Sequence, residues 1–262
     1  MPNQSPKFMI TDTHTHLYSE QFDEDRGLIV QRAFDAGVDR FFIPAIDSSY
    51  NQRMFDLEAR YPDNVFLMMG LHPTSVQANY KQELKRVREW IDQRDFYAIG
   101  EIGIDLYWDQ SLLKEQQEAF QTQIQWAKEK GWPIAIHCRD AFDEIFEILE
   151  LEKGDDLKGI FHCFTGDLEQ ARRAISYNMK LGIGGVVTFK NGKIDKFLDQ
   201  IPLEHIVLET DSPYLAPTPY RGKRNETSYI TLIVDKLVDI YGKTFEEISE
   251  ITTQNSKEVF GI

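Results

Sequence analysis

Apolar residues along the chain fall into two kinds of run that alternate. Short β-rich runs begin with Phe8, Met9 and Ile10 and recur over residues 38–45, 65–70, 96–101, 133–137, 159–162, 180–184 and 206–210. Between them the apolar positions follow helical spacing. Over 25–37 these are Leu28, Ile29, Ala33 and Phe34, with Gly37 placed as a C-terminal stop; over 48–61, Ser48 is placed as the N-cap and Pro62 lies just past the end. Helices are predicted likewise over 82–92, 112–130, 141–152, 167–178, 191–200 and 228–241, and 244–259 reads as a ninth, closing helix. Eight strands alternating with eight helices imply a parallel sheet, and eight is the number that closes into a barrel. The predicted fold class is α/β, a TIM (β/α)8 barrel with a closing C-terminal helix.

Length agrees with that pattern. The chain has 262 residues, close to the usual size of such a barrel, and no Pro/Gly/Ser-rich linker or low-complexity segment divides it. One domain over 8–262 is expected, behind a flexible N-terminus, 1–7. Neither a membrane-length apolar stretch nor the apolar core of a secretory signal is present, so a cytoplasmic protein is expected. Its two cysteines, Cys138 and Cys163, agree with a reducing compartment. With 29 basic against 43 acidic residues, a formal net charge of −14, broad charge neutralisation of a long duplex is excluded. Nucleic acid as a substrate is not, because bound cations change the sign of the local charge.

In a barrel, function belongs at the C-terminal ends of the strands. His14 and His16 end the first strand, and side chains at i and i+2 on an extended chain share a side, which Asp12 shares as well. His72 follows strand three, Glu101 ends strand four, His137 and His162 end strands five and six, and Asp211 follows strand eight. Of the chain's 6 histidines, only His205 lies elsewhere. Any one of these is more often a solvated or capped side chain. Together on one rim they require pairing or a metal, since buried charge is otherwise too costly. Alternation turns Cys138 and Cys163 outward toward the helix layer, as buried apolar thiols and not ligands.

Four histidines and two carboxylates exceed the needs of one tetrahedral ion and suit two divalent ions with a carboxylate between them. His14 and His16 would hold one ion, His137 and His162 the other, with Glu101 as the bridge. Asp211 would bind the first ion and accept a proton from an activated water, which makes Asp211 and Glu101 the expected catalytic residues. Mixed imidazole and carboxylate ligands admit Zn²⁺, Mn²⁺ and, less comfortably, Mg²⁺.

Six stretches resemble the TatD family of metal-dependent hydrolases over nearly the whole chain. They are Asp12 to Leu17, Gly70 to Pro73, Gly100 to Asp105, Ile136 to Ala141, Phe161 to Gly166 and Leu208 to Pro217. The resemblance implies a TIM barrel and metal ligation by His14, His16, Glu101, His137, His162 and Asp211. It also implies metal-dependent DNase activity, 3′ to 5′ on single strands, with some relatives linked to removal of D-amino acids from tRNA. Thr165, where Ser is usual, and Thr227, where Pro is common, depart from the family pattern at positions that are not ligands.

Substrate contacts are expected from His72, from Arg139 two residues beyond a ligand, and from Arg221, Lys223 and Arg224, a basic island after strand eight where barrels often bind phosphate. Tyr107, Trp108 and Tyr220 are candidates for base stacking. The expected function is phosphodiester hydrolysis of single-stranded DNA, with no membrane and no protein partner implied. D-aminoacyl-tRNA deacylation, or other ester or amide hydrolysis, is the alternative. A non-catalytic metal-binding protein is disfavoured, because a closed structural site needs neither two ions nor an Asp at the water position. Relatives of dihydroorotase or phosphotriesterase would more often carry a modified lysine where this chain has Glu101.

Overall fold

Eight parallel strands lie side by side in chain order: β1 (Ile10–Asp12), β2 (Val38–Ile43), β3 (Val65–Met69), β4 (Ala98–Asp105), β5 (Ile134–Arg139), β6 (Gly159–Phe161), β7 (Met179–Ile183) and β8 (Ile206–Leu208). In this computed structural model residues 9–262 are described; the expected flexible segment 1–7, and Phe8 with it, lie outside the described residues. The last strand returns to the first, where the Thr13 backbone N–H and hydroxyl both donate to the Leu208 carbonyl at 2.9 Å. The predicted TIM barrel is the observed fold.

Helices α1 (Arg26–Asp35), α2 (Asn51–Arg60), α3 (Tyr80–Gln93), α4 (Leu113–Lys130), α5 (Phe142–Glu152), α6 (Leu168–Ser176), α7 (Ile230–Tyr241) and α8 (Phe245–Phe260) surround it. Two expectations fail. The stretch 191–200 is not an α-helix but two 3₁₀ turns, Ile194–Lys196 and Leu198–Gln200, that bury Ile194 and Leu198. Gly192, the second residue of that stretch, weakens helix propensity where a first turn would have to form. Ser48 does not cap α2, which starts at Asn51 without a side-chain cap; its backbone N–H donates to Glu83 Oε2 at 3.2 Å.

Strand alternation sorts the core into two layers. Phe41 and Ile43, Leu67 and Met69, Ile134 and Ile136, and Ile206 and Leu208 pack with the helices, whereas Phe42, Met68, Ala98, Ala135, Ile160 and Val207 form the barrel interior. Helix α8 plugs the N-terminal end of that interior. Its capping box, Thr244 with Glu247, fixes where it starts, and Asn255 donates to the Leu203 and Ile206 carbonyls at 2.8 and 2.7 Å. Phe260 is thereby stacked on Phe42, ring centroids 3.8 Å apart. No helix among the described residues is long and apolar enough to cross a membrane.

Candidate metal centre

Two steps along the same interior face, the strands change character. Ala135 on β5 is followed by His137, Ile160 on β6 by His162, and Val207 on β8 by Glu209. Strand β4 reaches the same place by an irregularity in register between Ile99 and Ile102, both of which face the helix layer. The two residues between them let Glu101 turn inward, a known use of bulges beside active sites.

Glu101 is the centre of the site. Its Oε2 lies 3.1 Å from His14 Nε2 and 3.8 Å from His16 Nε2. Oε1 lies 2.8 Å from His137 Nδ1, 3.3 Å from His72 Nε2 and 3.6 Å from His162 Nε2. Asp211 Oδ1 spans the other side, 3.4 Å from His16 Nε2 and 4.0 Å from the Nε2 atoms of His14 and His162. Asp211 sits at φ 56°, a left-handed conformation that Asp tolerates better than most residues, and its backbone N–H donates to the His14 carbonyl. Glu101 and the rings of His14, His16 and His162 are buried.

Three sets of side chains in this cluster have ligand atoms within 4.8 Å of one another: His14, His16 and Glu101; His14, His162 and Asp211; and His72, Glu101 and His137. Imidazoles and carboxylates at such spacing suit a divalent cation, so the residues fit the expected metal. All six predicted ligands are brought together. Within them His162 stacks on His14, centroids 3.4 Å apart, and lies 6.4 Å from the His137 ring, which packs against His72, while His137 Nδ1 and His162 Nε2 both face Glu101 Oε1.

The charges are strongly coupled. Burial works against ionising Glu101, but His72, His14 and His162 outweigh it and hold the carboxyl well below the usual range. Asp211 is likewise lowered, with burial opposed chiefly by His162. Burial opposes a charge on His162 as well, yet Glu209, Glu101 and Asp211 push it up to about 10. Burial lowers His14 and His72. A cation here would offset the buried carboxylate charge that the imidazoles now face.

Several residues that position the site escaped the sequence reading. Asp105 Oδ2 is 2.9 Å from His137 Nε2, and its Oδ1 accepts the Tyr107 and Trp108 N–H groups at 3.0 and 3.4 Å. Glu209, fully buried, lies 3.0 Å from His162 Nδ1 and accepts the Cys163 N–H at 2.7 Å. Its carboxylate has room because position 182 is glycine: a Cβ there would stand 2.2 Å from Glu209 Oε2. Tyr18 hydroxyl is 3.0 Å from His16 Nδ1. The available signal was a carboxylate at the end of an apolar strand, in Ile104-Asp105 and Leu208-Glu209, where an unpaired charge is costly. Asp12 has another task than the one expected. It turns to β8, accepting the Thr210 N–H at 2.9 Å and the Thr210 hydroxyl at 2.6 Å.

A cavity of about 590 Å³ opens over the cluster, with Trp108, Arg139, Tyr214 and Leu215 at its lining. Arg139 stands at the rim with its guanidinium 3.6 Å above the Tyr107 ring and 5.6 Å from Trp108. The basic island does not reach this cavity. Arg224 is committed to Asp25, at 2.9 and 2.5 Å, and to the Gln21 carbonyl; Arg221 bonds Asn191 and lies over Phe189; Lys223 lies over Tyr220. Tyr220 itself stacks on Tyr229. Cys163 corrects another expectation by lining the cavity, whereas Cys138 packs with the helix layer as expected and also borders the cavity. Strand alternation no longer governs Cys163, which follows the end of β6 and has φ 43°. Neither thiol belongs to a candidate ligand set among the described residues, and burial pushes both well above the usual thiol range.

An eight-stranded barrel that gathers imidazoles and carboxylates at its mouth defines a metal-dependent hydrolase of the TIM-barrel type. The family model for TatD related DNase matches residues 11–261, and the chain belongs to the TatD family. It is 39% identical over 255 residues to an uncharacterized metal-dependent hydrolase, YabD, of Bacillus subtilis (strain 168), covering 97% of this chain and 100% of that one. It is 34% identical over 260 residues to the 3'-5' ssDNA/RNA exonuclease TatD of Escherichia fergusonii, covering 96% and 98%. Among solved structures, the TatD homologue YjjV of Escherichia coli K12 superposes with a TM-score of 0.91 at 27% identity, over 97% of this chain and 98% of that one.

Proposed function

We propose that this hydrolase cleaves phosphodiester bonds of single-stranded DNA from the 3′ end, using two divalent ions held on either side of Glu101. The observation that carries the two-ion reading is the division of labour at Glu101, whose Oε2 faces His14 and His16 while Oε1 faces His137, His162 and His72. Zn²⁺ or Mn²⁺ suits these donors better than Mg²⁺. When bound, such ions acidify a water and offset charge on a phosphoryl oxygen.

The chain's own residues do the rest. Glu101 keeps the two imidazole sets at a fixed spacing, and Asp211, at the cavity floor beside His16, accepts the proton that the attacking water loses. Arg139 carries a planar charge suited to a backbone phosphate, and Trp108, 72% exposed beside it, offers a face to a base. Binding of one strand end in a cavity of about 590 Å³ agrees with single-strand preference and with a net charge of −14 that provides no duplex surface. The names of TatD relatives as 3'-5' ssDNA/RNA exonucleases support the same reading.

The test is degradation of end-labelled single-stranded DNA by chelated protein to which Zn²⁺, Mn²⁺ or Mg²⁺ is restored separately, beside deacylation of D-aminoacyl-tRNA. Stepwise shortening from the 3′ end that returns with metal is the expected result. Deacylation far faster than DNA cleavage would replace the nuclease reading with the alternative.

A further inference from the structure

Hydrogen bonding on the far side of each ring decides which nitrogen of a neutral imidazole is bare, and only a bare nitrogen binds a cation. The Tyr18 hydroxyl gives its proton to the Pro44 carbonyl at 2.9 Å, so at His16 Nδ1 it can only accept, which leaves His16 Nε2 bare and facing Glu101. Glu209 lies against His162 Nδ1, so the neutral form of that ring would keep its proton there and offer Nε2. Asp105 stands 2.9 Å from His137 Nε2 and Glu101 2.8 Å from Nδ1, so the neutral ring that a cation requires would keep its proton toward Asp105 and offer Nδ1. In its neutral form each of these rings would turn a bare nitrogen to the centre.

His72 is wired the other way. Its Nδ1 accepts the backbone N–H of Thr74 at 3.1 Å, in the turn that His72 itself caps, with the Thr74 hydroxyl also 2.7 Å away. A backbone amide only donates, so Nδ1 is the bare nitrogen and Nε2 carries the proton. That proton points into the cluster, 3.2 Å from His137 Nδ1 and 3.3 Å from Glu101 Oε1, and His72 also lines the cavity.

We infer that His72, although packed among the ligands, is not one of them but a fixed hydrogen-bond donor to the substrate, its Nε2–H aimed by Thr74 at an oxygen that gains negative charge during hydrolysis. The inference rests on the two-ion reading above, because ions on Glu101 and His137 occupy the acceptors that Nε2–H now faces and leave the substrate as its remaining partner. A preorganised donor of this kind is worth about 100-fold to 1000-fold in turnover. The tautomer follows from hydrogen bonding and is open to direct observation.

Two measurements on the full chain test it. Long-range proton–nitrogen correlation spectra of ¹⁵N-histidine protein should show His72 Nδ1 as a bare nitrogen and Nε2 as a protonated one, before and after Zn²⁺ is added. Metal titration should give two ions per chain for the wild type and for His72→Ala alike. With end-labelled single-stranded DNA, His72→Ala should lose about 100-fold in kcat with KM changed little, and His72→Gln, which restores an N–H donor, should recover part of that loss. Loss of one ion from His72→Ala, a bare Nε2 in the loaded protein, or wild-type kcat in His72→Ala would each overturn the inference. Fewer than two ions on the wild type would overturn the two-ion reading itself, which separates the two failures.

Discussion

The two ends of this barrel's interior are built from the same strands and the same face, yet nothing is shared in their chemistry. At the N-terminal end Phe42, Met68, Ala98, Ala135, Ile160 and Val207 meet the stacked ring of Phe260 and need no partner beyond one another. Two residues further along, His137, His162 and Glu209 stand where every polar atom must be accounted for. Apolar packing tolerates neighbours of approximate fit, whereas the mouth works only if each imidazole is oriented by a specific acceptor or donor. Stability and chemistry are thus laid in series along the strands, and changes at one end should leave the other intact.

The largest expected effect tests the lower end. Phe260→Ala should cost about 3 kcal/mol of unfolding free energy in urea, from lost burial and the cavity left behind. Activity per folded molecule should not change. A matching fall in kcat would mean that the plug and the mouth are coupled.

Asp211→Asn is the converse. Asn accepts the same left-handed backbone at φ 56°, so the thermal midpoint should stay within a few degrees, while turnover falls about 100-fold for want of a proton acceptor. Unchanged turnover would remove Asp211 from the mechanism.

A smaller effect separates both ends from the outer wall. Glu226, buried, accepts both arms of Arg32 at 2.9 and 2.6 Å, and although burial raises its pKa, that ion pair and Ser228 carry it below the ordinary 4.5. A carboxyl lowered by folding stabilises above its unfolded pKa, and the stabilisation is lost as pH falls through the folded value. Glu226→Gln should therefore cost about 1–3 kcal/mol at pH 7, with the gap to wild type closing as pH drops below 4.5. A gap independent of pH would assign the effect to packing.

The smallest change concerns the rim. Arg139→Ala should raise KM for single-stranded DNA by roughly 10-fold and flatten its salt dependence, while hydrolysis of a small uncharged ester stays the same. Equal losses on both substrates would place Arg139 in the chemistry and not in polyanion binding.

The same division explains what could be read from the chain. Period and punctuation exposed the strands and most helices, and local spacing sufficed for His14 and His16, because those signals lie within a few residues of each other. Segment 191–200 misled because the apolar spacing of Ile194, Phe197 and Leu198 satisfies a 3₁₀ turn as well as a helix. Arg224 was legible only as a free charge, since its partner Asp25 lies 199 residues away. Which carboxylate orients which imidazole, Glu209 for His162 and Asp105 for His137, depends on contacts between strand ends, and the closed barrel alone creates them.

The central claim is that the cluster around Glu101 holds two divalent ions. Elemental analysis of protein stripped with chelator and then dialysed against Zn²⁺ or Mn²⁺ tests it most directly, with Glu101→Gln as the partner sample. Two ions per chain, falling sharply in Glu101→Gln while the circular dichroism of the barrel is kept, is the predicted result. Well under one ion per chain in the wild type would contradict the account.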